Sequence, residues 1–142
     1  MKAFRTEVLI DASQERVWSV LTGFDKYPSW NPFIRQVRGH PCLWETLRLT
    51  VKLSKFPLVR FDADIDSMVF CRRIGWHAVF LKGFMEAHHW FELYENSGET
   101  LLVHSEEFTG VVSGPVLAIL SRAFINGYGQ MNLALKTESE RC

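Results

Sequence analysis

The segment "GPVLAILSRAFINGYGQMNLALKTESE", residues 114–140, carries the hydrophobic pattern that decides the fold. Its large apolar side chains recur every three or four positions, the spacing of one helix face: Leu117, Leu120, Phe124, Tyr128, Met131 and Leu135. Gly114 and Pro115 are typical of a helix start. Gly127 and Gly129 each cost on the order of 1 kcal/mol relative to Ala inside a helix, so we interpret them as signs of close packing or of vacated volume. The segment predicts one long C-terminal helix.

The chain before this helix has the two-residue period of β-strands. Residues 3–10, "ETLRLTVKL" (45–53) and "VRFDADID" (59–66) alternate apolar and polar side chains, which is typical of half-buried antiparallel strands. The strand pattern resumes at Phe33, and further strands are predicted at about 68–79, 84–95 and 100–110. The turn "ENSGE" joins the last two.

Two short helices are predicted directly after the first strand. Ser13 is the expected N-cap of the first, Glu15 lies in its first turn and Gly23 ends it. Its apolar stripe contains Val17, Trp18, Val20 and Leu21. A second helical turn is predicted around "FDKYPSW" (24–30), where prolines prevent anything longer. With 142 residues in all, we expect one α+β domain over 1–142, a curved antiparallel sheet of about seven strands wrapped around the long C-terminal helix.

Composition excludes several partners and sites. Sixteen basic residues balance sixteen acidic ones, so no net field attracts nucleic acid. The apolar run "VVSGPVLAIL" (111–120) is too short for membrane insertion, and charges near the N-terminus argue against a signal peptide, so we expect a cytoplasmic protein. Cys42, Cys71 and Cys142 form no CxxC pair, which argues against disulfides and zinc ribbons. We interpret Cys71 as a buried residue within a strand.

Three segments together resemble a known superfamily: "VWSVLTGFDKYPSWNPFI" (17–34), "AHHWFELYENSGETLLVHSEEFTG" (87–110) and "FINGYGQMNLALKTESE" (124–140). The chain resembles the START-like, helix-grip SRPBCC superfamily, in particular its polyketide cyclase, dehydrase and lipid-transfer group. The resemblance implies a helix-grip fold with an apolar cavity between the curved sheet and the long helix. It also implies a hydrophobic small-molecule ligand and no general organic cofactor.

Aromatic and apolar residues are the candidate walls of this cavity. In "YPSWNPFI" (27–34), Trp30 and Phe33 would close one end, although rings in a small domain equally serve as plain core. The other candidate ligand-binding residues are Phe70, Ile74, Trp76, Met85, Phe91, Phe108, Phe124, Tyr128 and Asn132. Of these, Tyr128 and Asn132 lie one helical turn apart and could hydrogen-bond a carbonyl or enolate oxygen, or Tyr128 is simply core.

Three polar side chains are candidates for the inner face of the sheet. Strand alternation places His89 on the more apolar face of its strand, with Ala87 and Phe91. His104 shares a face with Glu106, and the resemblance implies that this face points inward. One interpretation is structural, a His and a Glu hydrogen-bonded across adjacent strands. The other is general acid/base catalysis, since a buried carboxyl has a raised pKa and imidazole titrates near neutral pH. Two histidines and a carboxylate are also an iron ligand set, but we expect no metal because the supporting shell is not indicated.

The sequence therefore predicts a cofactor-free domain that binds a polyketide-like, terpenoid or lipid molecule. The alternative is a cofactor-independent cyclase, dehydratase or isomerase with His89, His104 and Glu106 as acid/base groups. A weaker alternative is a regulatory module whose cavity serves a partner protein. We expect a monomer or a homodimer, with Phe84 and Trp90 on the outer face as a candidate dimer contact.

Overall fold

The structure is a computed structural model, and it describes residues 2–141. Cys142 lies outside the described residues, so its predicted lack of a disulfide stays a prediction. Within residues 2–141, seven strands and three α-helices follow one another in the predicted order. They are β1 (Lys2–Ile10), α1 (Gln14–Thr22), α2 (Tyr27–Trp30), β2 (Ile34–Arg38), β3 (Thr46–Val51), β4 (Val59–Val69), β5 (Arg73–Phe80), β6 (Met85–Asn96), β7 (Glu99–Thr109) and α3 (Ser113–Glu140).

The seven strands form one antiparallel sheet in the order β1-β7-β6-β5-β4-β3-β2. β1 pairs with β7, so the first strand closes one edge and β2 closes the other. Register shifts between Ile34 and Gln36 in β2 and between Ile65 and Ser67 in β4 mark bulges, which increase the local twist. The curled sheet holds α3 against its concave face, and this confirms the predicted α+β helix-grip fold.

The short helices follow the sequence closely. The Ser13 side chain accepts a hydrogen bond from the backbone N–H of Arg16 and so caps α1 as predicted. The Arg16 guanidinium in turn donates to the carbonyl oxygens of Glu138 and Ser139, at the C-terminal end of α3. These bonds satisfy carbonyls that the helix end leaves unpaired and place a positive charge at its negative pole.

Gly127 marks the closest approach between α3 and the start of the sheet. A Cβ atom at this position would lie 2.3 Å from the ring of Phe33, a distance that no real side chain tolerates. A Cβ at Gly129, two residues along the same helix, would meet nothing within 4 Å. Of the two interpretations offered for these glycines, close packing therefore applies to Gly127.

The strand predicted at about 68–79 is wrong in its first part. β4 continues to Val69, a turn occupies residues 70–72, and β5 begins at Arg73. Cys71 therefore lies in a turn with φ of 60° and is half-buried, rather than buried within a strand. Alternation alone missed the turn because "FCRR" contains no glycine or proline to mark it.

The two outer aromatics proposed as a dimer contact occupy different environments. Trp90 is half-buried, lies under the Arg73 guanidinium at 5.2 Å and donates a hydrogen bond to Glu92. Phe84 is exposed in the connection between β5 and β6. A homodimer stays a prediction.

Candidate functional site

A cavity of about 140 Å³ lies between the concave face of the sheet and the first half of α3. Its walls come from strands β2 to β7 and residues next to them, and from α3. Val59, at the start of β4, is an exposed lining residue, whereas His89 and Glu106 are 5% and 7% exposed. All other lining residues are apolar, so these two form one polar end of an otherwise hydrophobic space.

The two polar residues are neighbours across the sheet. His89 in β6 lies opposite Glu106 in β7, and Phe91 lies opposite His104 one step along the same face. The predicted inward orientation of all three polar residues is confirmed, because His104 is 1% exposed. The predicted His–Glu hydrogen bond is wrong, because His89 Nδ1 and Glu106 Oε2 are 3.8 Å apart.

A chain of hydrogen bonds runs from Thr6 in β1 to the two histidines, and its first bond determines which atom donates in each of the others. Thr6 Oγ1 donates to the carbonyl oxygen of His104, 3.1 Å away, so it accepts from Asn132 Nδ2 at 2.8 Å. The amide nitrogen of Asn132 therefore faces Thr6, and its oxygen faces His104 Nδ1 at 2.8 Å. Because an amide oxygen only accepts, His104 carries its proton on Nδ1.

The same logic assigns the proton of His89. A neutral His104 protonated on Nδ1 has an unprotonated Nε2, which accepts from His89 Nε2 at 2.6 Å. The two rings lie within 8° of parallel with centroids 4.7 Å apart, as expected for rings that meet tip to tip. His89 thus carries its proton on Nε2, and its unprotonated Nδ1 is directed toward Glu106.

Burial keeps both histidines neutral. Desolvation lowers the pKa of His104 to about 4, although the hydrogen bond to Asn132 acts in the opposite direction. Desolvation, followed by the neighbouring His104 and His88, holds the pKa of His89 well below its usual range. At neutral pH the two imidazoles therefore act as hydrogen-bonding groups of fixed tautomer and carry no charge.

Glu106 is the acid of the cluster. Desolvation raises the pKa of its carboxyl to about 8, against the lowering effect of the hydrogen bond from Tyr128. Tyr128 on α3 donates that bond to Oε1 at 2.5 Å, which leaves Oε2 as the protonated oxygen on the side of His89. At neutral pH the cavity end therefore presents a carboxylic acid O–H beside an unprotonated imidazole nitrogen.

Five of the predicted apolar ligand-binding residues line this cavity: Phe33, Trp76, Met85, Phe108 and Phe124. Four other predicted residues are buried behind the wall: Ile74, Phe91, Tyr128 and Asn132. The hydroxyl of Tyr128 and the amide of Asn132 are engaged by Glu106 and His104, so neither group faces a ligand. Their predicted role in holding a carbonyl oxygen is corrected to support of the polar cluster.

Two predicted residues lie away from the cavity. Phe70 is 76% exposed in the turn after β4, with its ring 6.1 Å from that of Trp18. Trp30 ends α2, packs edge-on against Tyr27 and lines a surface groove with residues of α1. Phe70 and Trp30 lie in or next to connections between elements, and the local sequence does not determine where such a connection places its side chains. For Trp30, the alternative interpretation as core beneath the short helices describes the structure better.

Sequence reasoning missed part of the wall and one polar residue. Residues of β3 and β4, among them Leu49, Val51 and Phe61, line the cavity although only their inward face was predicted. Thr6, which joins the chain of hydrogen bonds, is the one polar residue on the inner face of β1 between Phe4 and Val8. The signal in the sequence was this single polar side chain between apolar residues on one face of the strand.

The site does not have the arrangement of a metal centre. The Nε2 atoms of His89 and His104 face each other at hydrogen-bond distance instead of converging on a third point. Across residues 2–141, no three His, Cys, Asp or Glu side chains are grouped as metal ligands would be.

Comparison with known proteins agrees with the fold. Residues 1–140 match the family described as polyketide cyclase / dehydrase and lipid transport. The chain belongs to this family. No curated protein sequence matches the chain at a significant level.

Solved structures with the same architecture include an aromatase/cyclase and a di-domain ARO/CYC. The Zhui aromatase/cyclase from Streptomyces sp. R1128 has a TM-score of 0.80 at 16% identity, covering 99% of this chain and 94% of that one. Hypothetical protein jhp0584 from Helicobacter pylori has a TM-score of 0.80 at 13% identity, covering 98% of this chain and 88% of that one. The di-domain ARO/CYC StfQ of the steffimycin biosynthetic pathway has a TM-score of 0.77 at 11% identity, covering 97% of this chain and 50% of that one. At these identities the similarity establishes the fold alone.

The comparisons leave the location of this family member open. None of the helices in the described part of the chain has the length and hydropathy of a membrane span. A cytoplasmic location stays a prediction.

Proposed function

We propose that this protein binds a hydrophobic small molecule in the cavity between the sheet and α3. The observation that carries the proposal is the cavity itself, about 140 Å³ of apolar space with one polar end. Pockets of this construction, mostly apolar with a few placed polar groups, are typical of small-molecule sites. Membership of the polyketide cyclase / dehydrase and lipid transport family supports the same function. Polyketide-like, terpenoid and lipid molecules are the candidate classes.

A cavity-filling variant tests this proposal. Ala87 lines the cavity, so Ala87→Leu places three further carbon atoms in it. We expect this variant to bind the apolar probe p-xylene at least tenfold more weakly in calorimetric titration, with thermal stability retained because the added atoms enter empty space. Val79→Leu, at an exposed position of β5, is the control and should bind like the parent. Equal binding by the Ala87 variant and the parent would contradict the proposal.

A second candidate function is cofactor-independent catalysis of cyclisation, dehydration or isomerisation. The observation that favours it is the position of Glu106 Oε2 and His89 Nδ1, which lie 3.8 Å apart in two residues that line the cavity. The raised pKa of Glu106 and the lowered pKa of His89 make the first a proton donor and the second an acceptor at neutral pH. Nδ1 can accept a proton from the carbon next to a carbonyl while Glu106 donates its proton to the carbonyl oxygen, which yields an enol. Return of the two protons to different atoms gives the isomer. In dehydration, the carboxylate of Glu106 takes back the enol proton while the carbon–oxygen bond of a β-hydroxyl group breaks, and that group leaves as water with the proton held by His89. His104, predicted as a third catalytic group, holds the tautomer of His89 in this scheme.

Proton exchange in a simple ketone tests this second function. The α-protons of 4-methylacetophenone in D₂O are followed by NMR with parent protein and with Glu106→Gln, whose amide does not transfer a proton. We expect the parent to accelerate exchange and the variant to lose at least a hundredfold of that acceleration. Acceleration that persists in the variant would exclude Glu106 as the acid. His104→Ala tests the positioning role of His104. The change removes the partner that holds the tautomer of His89, and it also alters stability.

A further inference from the structure

The polar end of the cavity contains two hydrogen-bonding atoms that no described residue engages. Oε1 of Glu106 is occupied by Tyr128 and Nε2 of His89 by His104, which leaves Oε2 and Nδ1. The chain of bonds from Thr6 determines the character of Nδ1 as an acceptor. Burial raises the pKa of the Glu106 carboxyl to about 8, and Tyr128 occupies Oε1, so Oε2 is the donor at neutral pH. An unlike pair, one donor and one acceptor, therefore faces the same space.

The separation of these atoms matches one bridging oxygen. At 3.8 Å, Oε2 and Nδ1 are too far apart to bond to each other. A single oxygen about 2.8 Å from each, the usual hydrogen-bond length, closes a triangle on that base. This oxygen must accept from Glu106 and donate to His89. A hydroxyl group does both, whereas a carbonyl or ether oxygen only accepts and leaves Nδ1 unpaired.

The apolar part of the cavity limits what the hydroxyl is attached to. An engineered cavity of about 150 Å³ in another protein holds a benzene molecule, and this cavity measures about 140 Å³. Trp76, Phe108 and Phe124 line it and offer aromatic surfaces to a flat ring. The space therefore suits one six-membered ring.

From this geometry we infer that the ligand is a single-ring phenol or cyclic enol, whose hydroxyl group is held by Glu106 Oε2 and His89 Nδ1 together. This inference rests on the proposed binding function and narrows its ligand class. It applies equally if the site is catalytic, because an enol is what the acid/base pair would form.

Three ring compounds of similar size test the inference by calorimetric titration of the full chain. 4-Methylphenol accepts and donates at its oxygen, 4-methylanisole only accepts, and p-xylene does neither. In the parent we expect 4-methylphenol to bind more tightly than 4-methylanisole. Equal or tighter binding of the ether would overturn the hydroxyl class, because Nδ1 would then contribute nothing.

Variants of Glu106 measure the hydroxyl preference separately from hydrophobicity. The readout is the dissociation constant of p-xylene divided by that of 4-methylphenol, and we expect this ratio to fall about tenfold in Glu106→Leu/Tyr128→Phe. Removing both partners of the Glu106–Tyr128 bond keeps the fold intact, since replacing both by apolar groups is close to neutral. Glu106→Gln keeps an N–H donor at the position of Oε2 and should preserve most of the ratio.

The outcomes distinguish this inference from the function beneath it. If none of the three compounds binds the parent, the proposed binding function fails at this site. If all bind and the ratio is unchanged in the double variant, binding stands and the hydroxyl inference is wrong. Val51→Ala, in the apolar wall, is the matched control and should change both dissociation constants by a similar factor.

Discussion

The polar cluster at the sheet centre has two halves built from the same kinds of residue. In the closed half, His104, Asn132 and Thr6 satisfy one another, and each of their side chains has its partners within the protein. In the open half, His89 and Glu106 each have one atom bonded to protein and one directed to the cavity. A buried histidine is thus bonded only within the protein in one position and lines the cavity one strand away.

The difference arises from the distance between α3 and the sheet. Near Asn132 and Gly127 the helix bonds to Thr6 of β1 and lies against the Phe33 ring. Toward its beginning, Leu120 and Phe124 are only partly buried and form a cavity wall. The closed half should therefore respond to mutation through stability, and the open half through ligand binding and pH.

The strongest test of this division is His104→Leu. The change leaves Asn132 Oδ1 and His89 Nε2–H without partners, and each buried unpaired group costs about 1–3 kcal/mol. We expect the free energy of unfolding to fall by roughly 3 kcal/mol, measured by urea denaturation at pH 6.5. Glu106→Gln, its counterpart in the open half, should change stability by less than about 1 kcal/mol at that pH. Similar losses in both variants would remove the distinction between the halves.

A pH series tests the open half. The Glu106 carboxyl has a pKa of about 8 when folded against 4.5 ordinarily, so the folded state binds more protons over that interval and stability falls as pH rises. The lowered pKa values of His89 and His104 act in the opposite direction up to about pH 7.5, because an unfolded imidazole is still half protonated at its ordinary pKa of about 6.5. Between pH 6.5 and 8 we therefore expect the parent to lose roughly 2 kcal/mol relative to Glu106→Gln, which keeps both histidines.

Glu106→Gln provides the control for this series. The variant does not titrate at position 106, so urea midpoints at half-unit intervals from pH 6.5 to 8.5 should lose the decline. A decline of equal size in the variant would assign it to another group.

The boundary between packed and hollow space can be shifted through Gly127. A methyl group there would collide with the Phe33 ring, which also lines the cavity, so Gly127→Ala must displace that ring. We expect a loss of about 1–2 kcal/mol in unfolding free energy and weaker binding of p-xylene. Gly129→Ala has open space and should gain up to about 1 kcal/mol from helix propensity. Thermal melts of the pair compare one methyl group on two sides of one helix.

The smallest expected effect concerns Tyr128, the α3 residue that bonds to Glu106 in the open half. Tyr128→Phe removes the bond that lowers the pKa of Glu106, so the stability decline should move to higher pH. We expect a loss of about 1 kcal/mol at pH 6.5, the usual contribution of one hydrogen bond. A decline that stays at the parent pH would show that this bond does not tune the carboxyl.

Local pattern predicted most of the architecture. Alternation in β6 predicted His89 on the inner face, and the period of residues 114–140 predicted the buried stripe of α3. In β7 both faces are apolar, and the family resemblance indicated that His104 and Glu106 point inward. The pattern failed at residues 70–72, where an unmarked turn displaced Phe70 and Cys71. It also failed for Trp30, since the direction of a side chain after a short helix depends on what packs against it.

The sequence by itself determined the order of the elements and the face on which each side chain lies, because both depend on residue periods of two and 3.6 that act over short distances. Only the tertiary structure decided that His89 bonds to His104 instead of Glu106, that Asn132 and Thr6 orient both imidazoles, and that about 140 Å³ remains open beside them. Those features depend on how far α3 lies from β1 and β7, and that distance is determined by packing among residues 22 to 126 positions apart in the chain.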